Sequence, residues 1–156
     1  MFIIKIIVGI LSVIVFTKIG YDKSKNYKEK LAFYNSITLF CDKFLVELEY
    51  KKSHVEKVLK DSYSSSSAKK LFNSYLNDKN NLIFPDFLNN EEKSILSDFF
   101  MKLGLGDTDS QKIYVKSYKN TFEKKASESW QNFKKYSNLY LKIGFMFGLT
   151  LMIVVI

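Results

Sequence analysis

The chain has 156 residues, a formal net charge of +8 and a hydrophobic share of 47%, which leaves room for about one domain. All of the basic charge is lysine, spread among acids with no arginine anywhere, so the forks and dense basic stripes of nucleic-acid grooves are missing and no nucleic-acid partner is expected. A single cysteine, Cys41, excludes an internal disulfide and a multi-thiolate metal site.

Much of the apolar content lies at the two ends. Met1 to Ile19 is apolar apart from Lys5, Ser12, Thr17 and Lys18, and Leu139 to Ile156 is apolar apart from Lys142 and Thr150. Each run is close to the ~20 residues a helix needs to cross about 30 Å of hydrocarbon, so transmembrane helices are predicted over 1–20 and 139–156, with a domain over 21–138 between them. No small-residue cleavage site follows the first run, which reads Phe16-Thr17-Lys18-Ile19-Gly20, so a retained span is expected and not a signal peptide. The second run reaches the last residue with nothing after it to cover it, which argues against a buried core helix. Beside the first run Lys18, Lys23, Lys25, Lys28 and Lys30 outnumber Asp22 and Glu29, and beside the second Lys124, Lys125, Lys134, Lys135 and Lys142 outnumber Glu123 and Glu128. The positive-inside rule then predicts a cytoplasmic middle against anionic membrane lipid, with Lys5 snorkelling to the opposite face.

Between the ends glycine and proline are scarce, and a sheet would need far more turns. Tyr27, Leu31, Tyr34, Ile37, Cys41, Phe44 and Leu48 advance by three or four, which predicts a helix continuing from the first span. Ser64 to Ser67 and Asn77 to Asn81 read as connectors around a shorter helix from about Ala68 to Leu76. Asn89 or Asn90 before Glu91 and Glu92 predicts an N-cap and an acidic first turn, opening a helix through Ile95, Leu96, Phe99, Phe100 and Leu103. Gly104 is expected to end that helix in a left-handed conformation, with Gly106 the more tolerant of substitution. Thr108-Asp109-Ser110-Gln111 has the capping-box form, Gln111 reaching back to the Thr108 N–H and Asp107 standing beside unpaired amides. Val115, Tyr118, Phe122, Ala126, Trp130, Phe133, Tyr136 and Tyr140 then form a stripe running into the second span. The predicted class is all-α, an antiparallel helical bundle whose long helices continue into N- and C-terminal transmembrane spans, with two shorter helices closing its far end.

The catalytic inventory is nearly empty. His54 is the sole histidine and stands among polar neighbours as a surface residue, and no metalloprotease, nucleophile-elbow, phosphate-loop or paired-cysteine motif occurs. Asp107 and Asp109 suit a helix dipole better than a metal ion, and Glu47 and Glu49 lie on different helical faces, where they cannot share a substrate proton. No enzyme, cofactor or metal is therefore expected. Gly144 and Gly148 have the small-xxx-small spacing that lets membrane helices approach closely.

Ile95-Leu96-Ser97-Asp98-Phe99-Phe100, then Leu103-Gly104, Asp107 and Gln111, a long polar helix, and Tyr140, Ile143-Gly144 and Gly148 in a terminal apolar run together resemble the stage III sporulation protein AB family. That family also begins with a span and a basic amphipathic helix, and Glu47-Leu48-Glu49-Tyr50 is similar to a Glu-apolar-x-Tyr stretch in it. What carries over is Glu47, Tyr50, Leu103, Gly104, Asp107, Gln111, Tyr140, Gly144 and Gly148, as structural or interaction positions. Where a Gly and a Pro often follow in the family, Lys51, Lys52, Ser53, His54 and Val55 stand here, and the bend expected there is in question.

The resemblance implies a non-enzymatic platform or adaptor in the channel complex that joins mother cell and forespore during endospore formation, similar to the platform proteins of type II secretion and type IV pilus machines. It implies other proteins of that complex as partners, among them a cytoplasmic ATPase, and a middle domain on the mother-cell side; a homo-oligomer is left open. Residues alone leave a second class standing, a two-span sensor or receptor-like protein with an extracytoplasmic helical ligand domain. The lysine asymmetry argues against it.

Overall fold

The computed structural model describes residues 2–50 and 55–155. Among them the secondary structure is all helical: α1 (Phe2–Glu49), α2 (Val55–Lys60), α3 (Ser66–Asn77), α4 (Asn90–Lys102) and α5 (Thr108–Val155). The expectations placed on Lys51, Lys52, Ser53 and His54, and on the Lys5 side chain, fall outside the described residues. The chain divides into two compact units, one made of Met1–Lys28 with Ser129–Ile156 and the other of Glu29–Glu128.

The 29–128 unit is built on aromatic rings. Phe33, Tyr34, Ile37, Phe40, Cys41, Phe44 and Leu48 are buried along α1, so the stripe is wider than predicted by two phenylalanines. Phe40 meets Phe44 at 5.6 Å, Phe72 of α3 at 5.8 Å and Phe99 of α4 at 6.2 Å between ring centres. Phe99 in turn meets Phe122 of α5 at 5.1 Å, edge to face. One aromatic cluster therefore ties together four helices, and edge-to-face and offset rings add to the burial itself.

The short elements are held by side chains near their ends. Asn89 caps α4, its Oδ1 accepting from the Glu92 N–H at 2.8 Å while a Glu92 carboxylate oxygen accepts from the Asn89 N–H at 3.0 Å, a complete capping box. α3 opens at Ser66, two residues before the predicted Ala68, because Ser65 takes the cap and accepts from the Ala68 N–H at 3.0 Å. The rest of the serine run is equally engaged: Ser64 donates its N–H to Ser36, and the Ser66 hydroxyl and Ser67 N–H donate to Glu29. α2 was not anticipated; its six residues bury only Val58 and Leu59, too few to show a period.

In the terminal unit two helical segments run in opposite chain directions. Ser24 shares a hydrogen bond of 2.7 Å with Ser137, Phe16 stacks on Phe147, and Tyr27 lies 5.7 Å from Tyr136 and 5.8 Å from Tyr140 between ring centres. Trp130, placed on the inward stripe by its spacing, is instead 51% exposed, and Ser129 is buried. At about 100° per residue, Ser129 is the position three on from Ala126 that faces inward, and the indole is carried off that face. α5 is the one helix among the described residues long and apolar enough to cross a membrane.

Candidate functional site

The nine positions singled out by resemblance fall in three places. Leu103, Gly104, Asp107 and Gln111 form one turn between α4 and α5. The last turn of α4 is closed by the Leu103 N–H donating to the Phe100 carbonyl at 3.3 Å, and the buried Leu103 side chain anchors the loop in the core. Gly104 and Gly106 both have positive φ, +79° and +95°, so the chain reverses through two left-handed residues where any side chain is strained. The expectation for Gly104 holds; the expectation that Gly106 is more tolerant is corrected.

The predicted capping box at Thr108 does not form. Asp107, one residue earlier, caps α5, its Oδ1 accepting from the Ser110 N–H at 2.8 Å. A carboxylate at that position is the stronger acceptor for the helix end. Hydrogen bonds from the Ser110 side chain and N–H hold the Asp107 carboxyl below its ordinary range. Gln111 is thereby freed from the cap and turns inward, nearly fully buried. Its Oε1 accepts from the Gly104 N–H at 3.0 Å, and its Nε2 donates to the Lys102 carbonyl at 3.2 Å and to the Leu105 carbonyl. One amide thus bonds three backbone groups of the turn; the Lys102 carbonyl also accepts from the Leu105 N–H at 3.3 Å, while Gln111 is the partner of the Gly104 N–H and the Leu105 carbonyl.

This arrangement sets an expected outcome. Gln111→Ala removes all three bonds and strands the Gly104 N–H and the Leu105 carbonyl, which should lower stability by about 1–3 kcal/mol, and Gly104→Ala and Gly106→Ala should each cost on the order of 1 kcal/mol. Chemical denaturation of the purified chain checks both, and a Gly106→Ala variant as stable as the parent would show the turn to be relaxed.

Glu47 and Tyr50 lie at the end of α1. Glu47 lines an open groove of about 300 Å³ with Asp42, Lys43, Val46, Lys57 and Asp61, while Tyr50 is exposed. The structure does not bring this pair to the turn.

Tyr140, Gly144 and Gly148 lie in the terminal unit, against α1. A β-carbon on Gly144 would stand 2.5 Å from the Phe16 carbonyl oxygen, one on Gly148 2.6 Å from the Val13 Cα, and one on Gly20 2.5 Å from the Tyr140 carbonyl oxygen. These contacts are with backbone, so the two segments touch only because no side chain intervenes. The partner of the glycine pair is thus the chain's own first helix.

A further polar site leaves no mark in the spacing. Lys30 Nζ lies 2.8 Å and 2.9 Å from the two carboxylate oxygens of Glu92, whose side chain is 4% exposed. Burial alone pushes the Glu92 carboxyl up, but hydrogen bonds from Lys30, the Asn89 N–H and Tyr34 outweigh it and hold the group below its ordinary value. Half of this site was readable as an N-cap; Lys30 is 62 residues away and gave no signal.

No curated protein and no solved structure matches the chain. α4, the turn and α5 all lie within residues 80–156, which match the family model of stage III sporulation protein AB, so this part of the chain supports the family suggested by its residues.

Proposed function

We propose that the protein is a non-enzymatic platform of the channel complex between mother cell and forespore, anchored in the membrane by both terminal segments. Its 29–128 unit then serves as the cytoplasmic docking part for an ATPase and for membrane partners. The observation that carries this reading is the terminal helix pair. Its glycines close the two segments on each other, and large apolar side chains such as Ile14, at 58%, and Phe147, at 60%, remain exposed. Faces of that kind suit lipid and are costly in water. The family match over residues 80–156 supplies the sporulation setting, and the lysines beside both segments favour the cytoplasmic side for the domain.

Single-cysteine labelling tests the sidedness. Cys41 is fully buried and its thiol is pushed up by burial, so Cys41→Ala removes a slow background without touching the surface. Lys70→Cys and Lys116→Cys are at exposed positions in that unit. An impermeant maleimide should reach them only after permeabilisation. Labelling in intact cells would replace the platform reading with the extracytoplasmic receptor.

A further inference from the structure

We propose that the terminal unit carries a lysine collar that gathers anionic phospholipid headgroups around the protein; this deepens the membrane reading above and rests on it. Residues 1–28 and 129–156 together hold eight lysines and one acid, Asp22, whereas residues 29–128 hold sixteen lysines and fifteen acids. Seven of the eight net charges therefore sit in the terminal unit. The 29–128 unit is close to neutral.

The charges are also concentrated along the helix axes. Gly20 stands against Tyr140 and Gly144, and Ser24 against Ser137. By that register Lys18 is level with Lys142, and Lys28 is level with Lys134 and Lys135. Lys18 to Lys28 is ten residues, roughly 15 Å of helix, and Lys23 and Lys25 fall between. All seven of these lysines are exposed. The ion pairs among the described residues all lie within 29–128, and none involves the collar. Asp22 is the only acid of the unit, so the charge is not neutralised within it.

The level of the collar selects the partner. Ile19 and Leu139, exposed at 51% and 45%, begin the apolar faces beside Lys18 and Lys142. Headgroups occupy the layer next to a hydrocarbon boundary, and a negative leaflet attracts lysines held within a Debye length of about 8 Å. Aromatic side chains suited to that interface share the level: Tyr21 is 58% exposed, Lys134 lies 5.2 Å over the Trp130 ring, and Lys135 lies 5.0 Å over Tyr136. A nucleic acid would have to displace the bilayer to reach the same groups.

Trp130 is the only tryptophan and serves as the reporter. The full chain is reconstituted in phosphatidylcholine vesicles containing a trace of phosphatidylglycerol or of phosphatidylcholine labelled with dansyl on an acyl chain. Energy transfer from Trp130 to the labelled phosphatidylglycerol should exceed transfer to the labelled phosphatidylcholine by about threefold or more at low salt, and should fall toward equality in molar salt. Substituting Lys23, Lys25, Lys28 and Lys135 by Gln should abolish the preference; Lys134 stays because its ammonium lies over the indole. Equal transfer in protein that floats with the vesicles, or a preference that survives the substitutions, would overturn the collar and leave the spans standing. Protein that fails to float would overturn both.

Discussion

Gly144→Ile should break the terminal helix pair. A β-carbon there stands 2.5 Å from the Phe16 carbonyl oxygen and 3.3 Å from the Gly20 Cα, and neither is a side-chain tip that can swing away. The helices must part, and Gly20, itself pressed against the Tyr140 carbonyl, parts with them. Overpacking of this kind costs about 1–3 kcal/mol, and the branched side chain adds to what a methyl group alone would do. The Ser24 and Ser137 hydroxyl oxygens are 2.7 Å apart, so cysteines at both positions, on a Cys41→Ala background, report the pairing as disulfide yield. Gly144→Ile should lower that yield by at least about fivefold, which corresponds to roughly 1 kcal/mol. Met146→Ile, at a position 66% exposed, should leave it unchanged. Equal yields in all three would show that the glycines do not determine the contact.

The parts of the fold that were legible are those where one residue type repeats at helical spacing or where a cap stands alone. The α1 stripe could be followed because aromatic and aliphatic positions recur without a breaker, and Asn89 with Glu92 could be read because one cap acceptor dominates. The start of α5 is ambiguous in sequence because Asp107 and Thr108 are both cap residues at successive positions, and spacing cannot say which one the chain places outside the helix. That choice decides whether Gln111 faces the cap or the interior. The positive φ of Gly106 is hidden for a related reason, since the second left-handed residue belongs to the path back from Leu103 to Asp107 and not to the helix end itself. Gly144 and Gly148 were legible as a close-packing pair, but identifying their partner needs Gly20, Val13 and Phe16 brought to them from more than 120 residues away. The Lys30–Glu92 pair fails to show in sequence on the same ground, because surface lysines are everywhere in this chain and only the fold tells which one is turned inward.

Lys30→Met should destabilise the 29–128 unit more than any exposed lysine substitution, by about 3 kcal/mol near neutral pH. Removing one partner of a buried ion pair leaves the other charge uncompensated, at roughly 3–5 kcal/mol. The lower end applies because the Asn89 N–H and Tyr34 still donate to Glu92 and Lys30 itself is partly exposed. The pH dependence separates this account from lost packing. In the parent the Glu92 carboxyl is held below its ordinary 4.5, so the stability it contributes is fully present above that value and is lost as pH falls through the depressed one. Without Lys30 burial is opposed by fewer donors and the carboxyl moves up, so protonation on acidification relieves the buried charge. The stability gap between parent and Lys30→Met should therefore narrow steadily from pH 7 to pH 4 in denaturant titrations followed by near-ultraviolet circular dichroism. A gap of constant size across that range would assign the loss to the lysine stem packing against its neighbours and would remove the charge from the explanation.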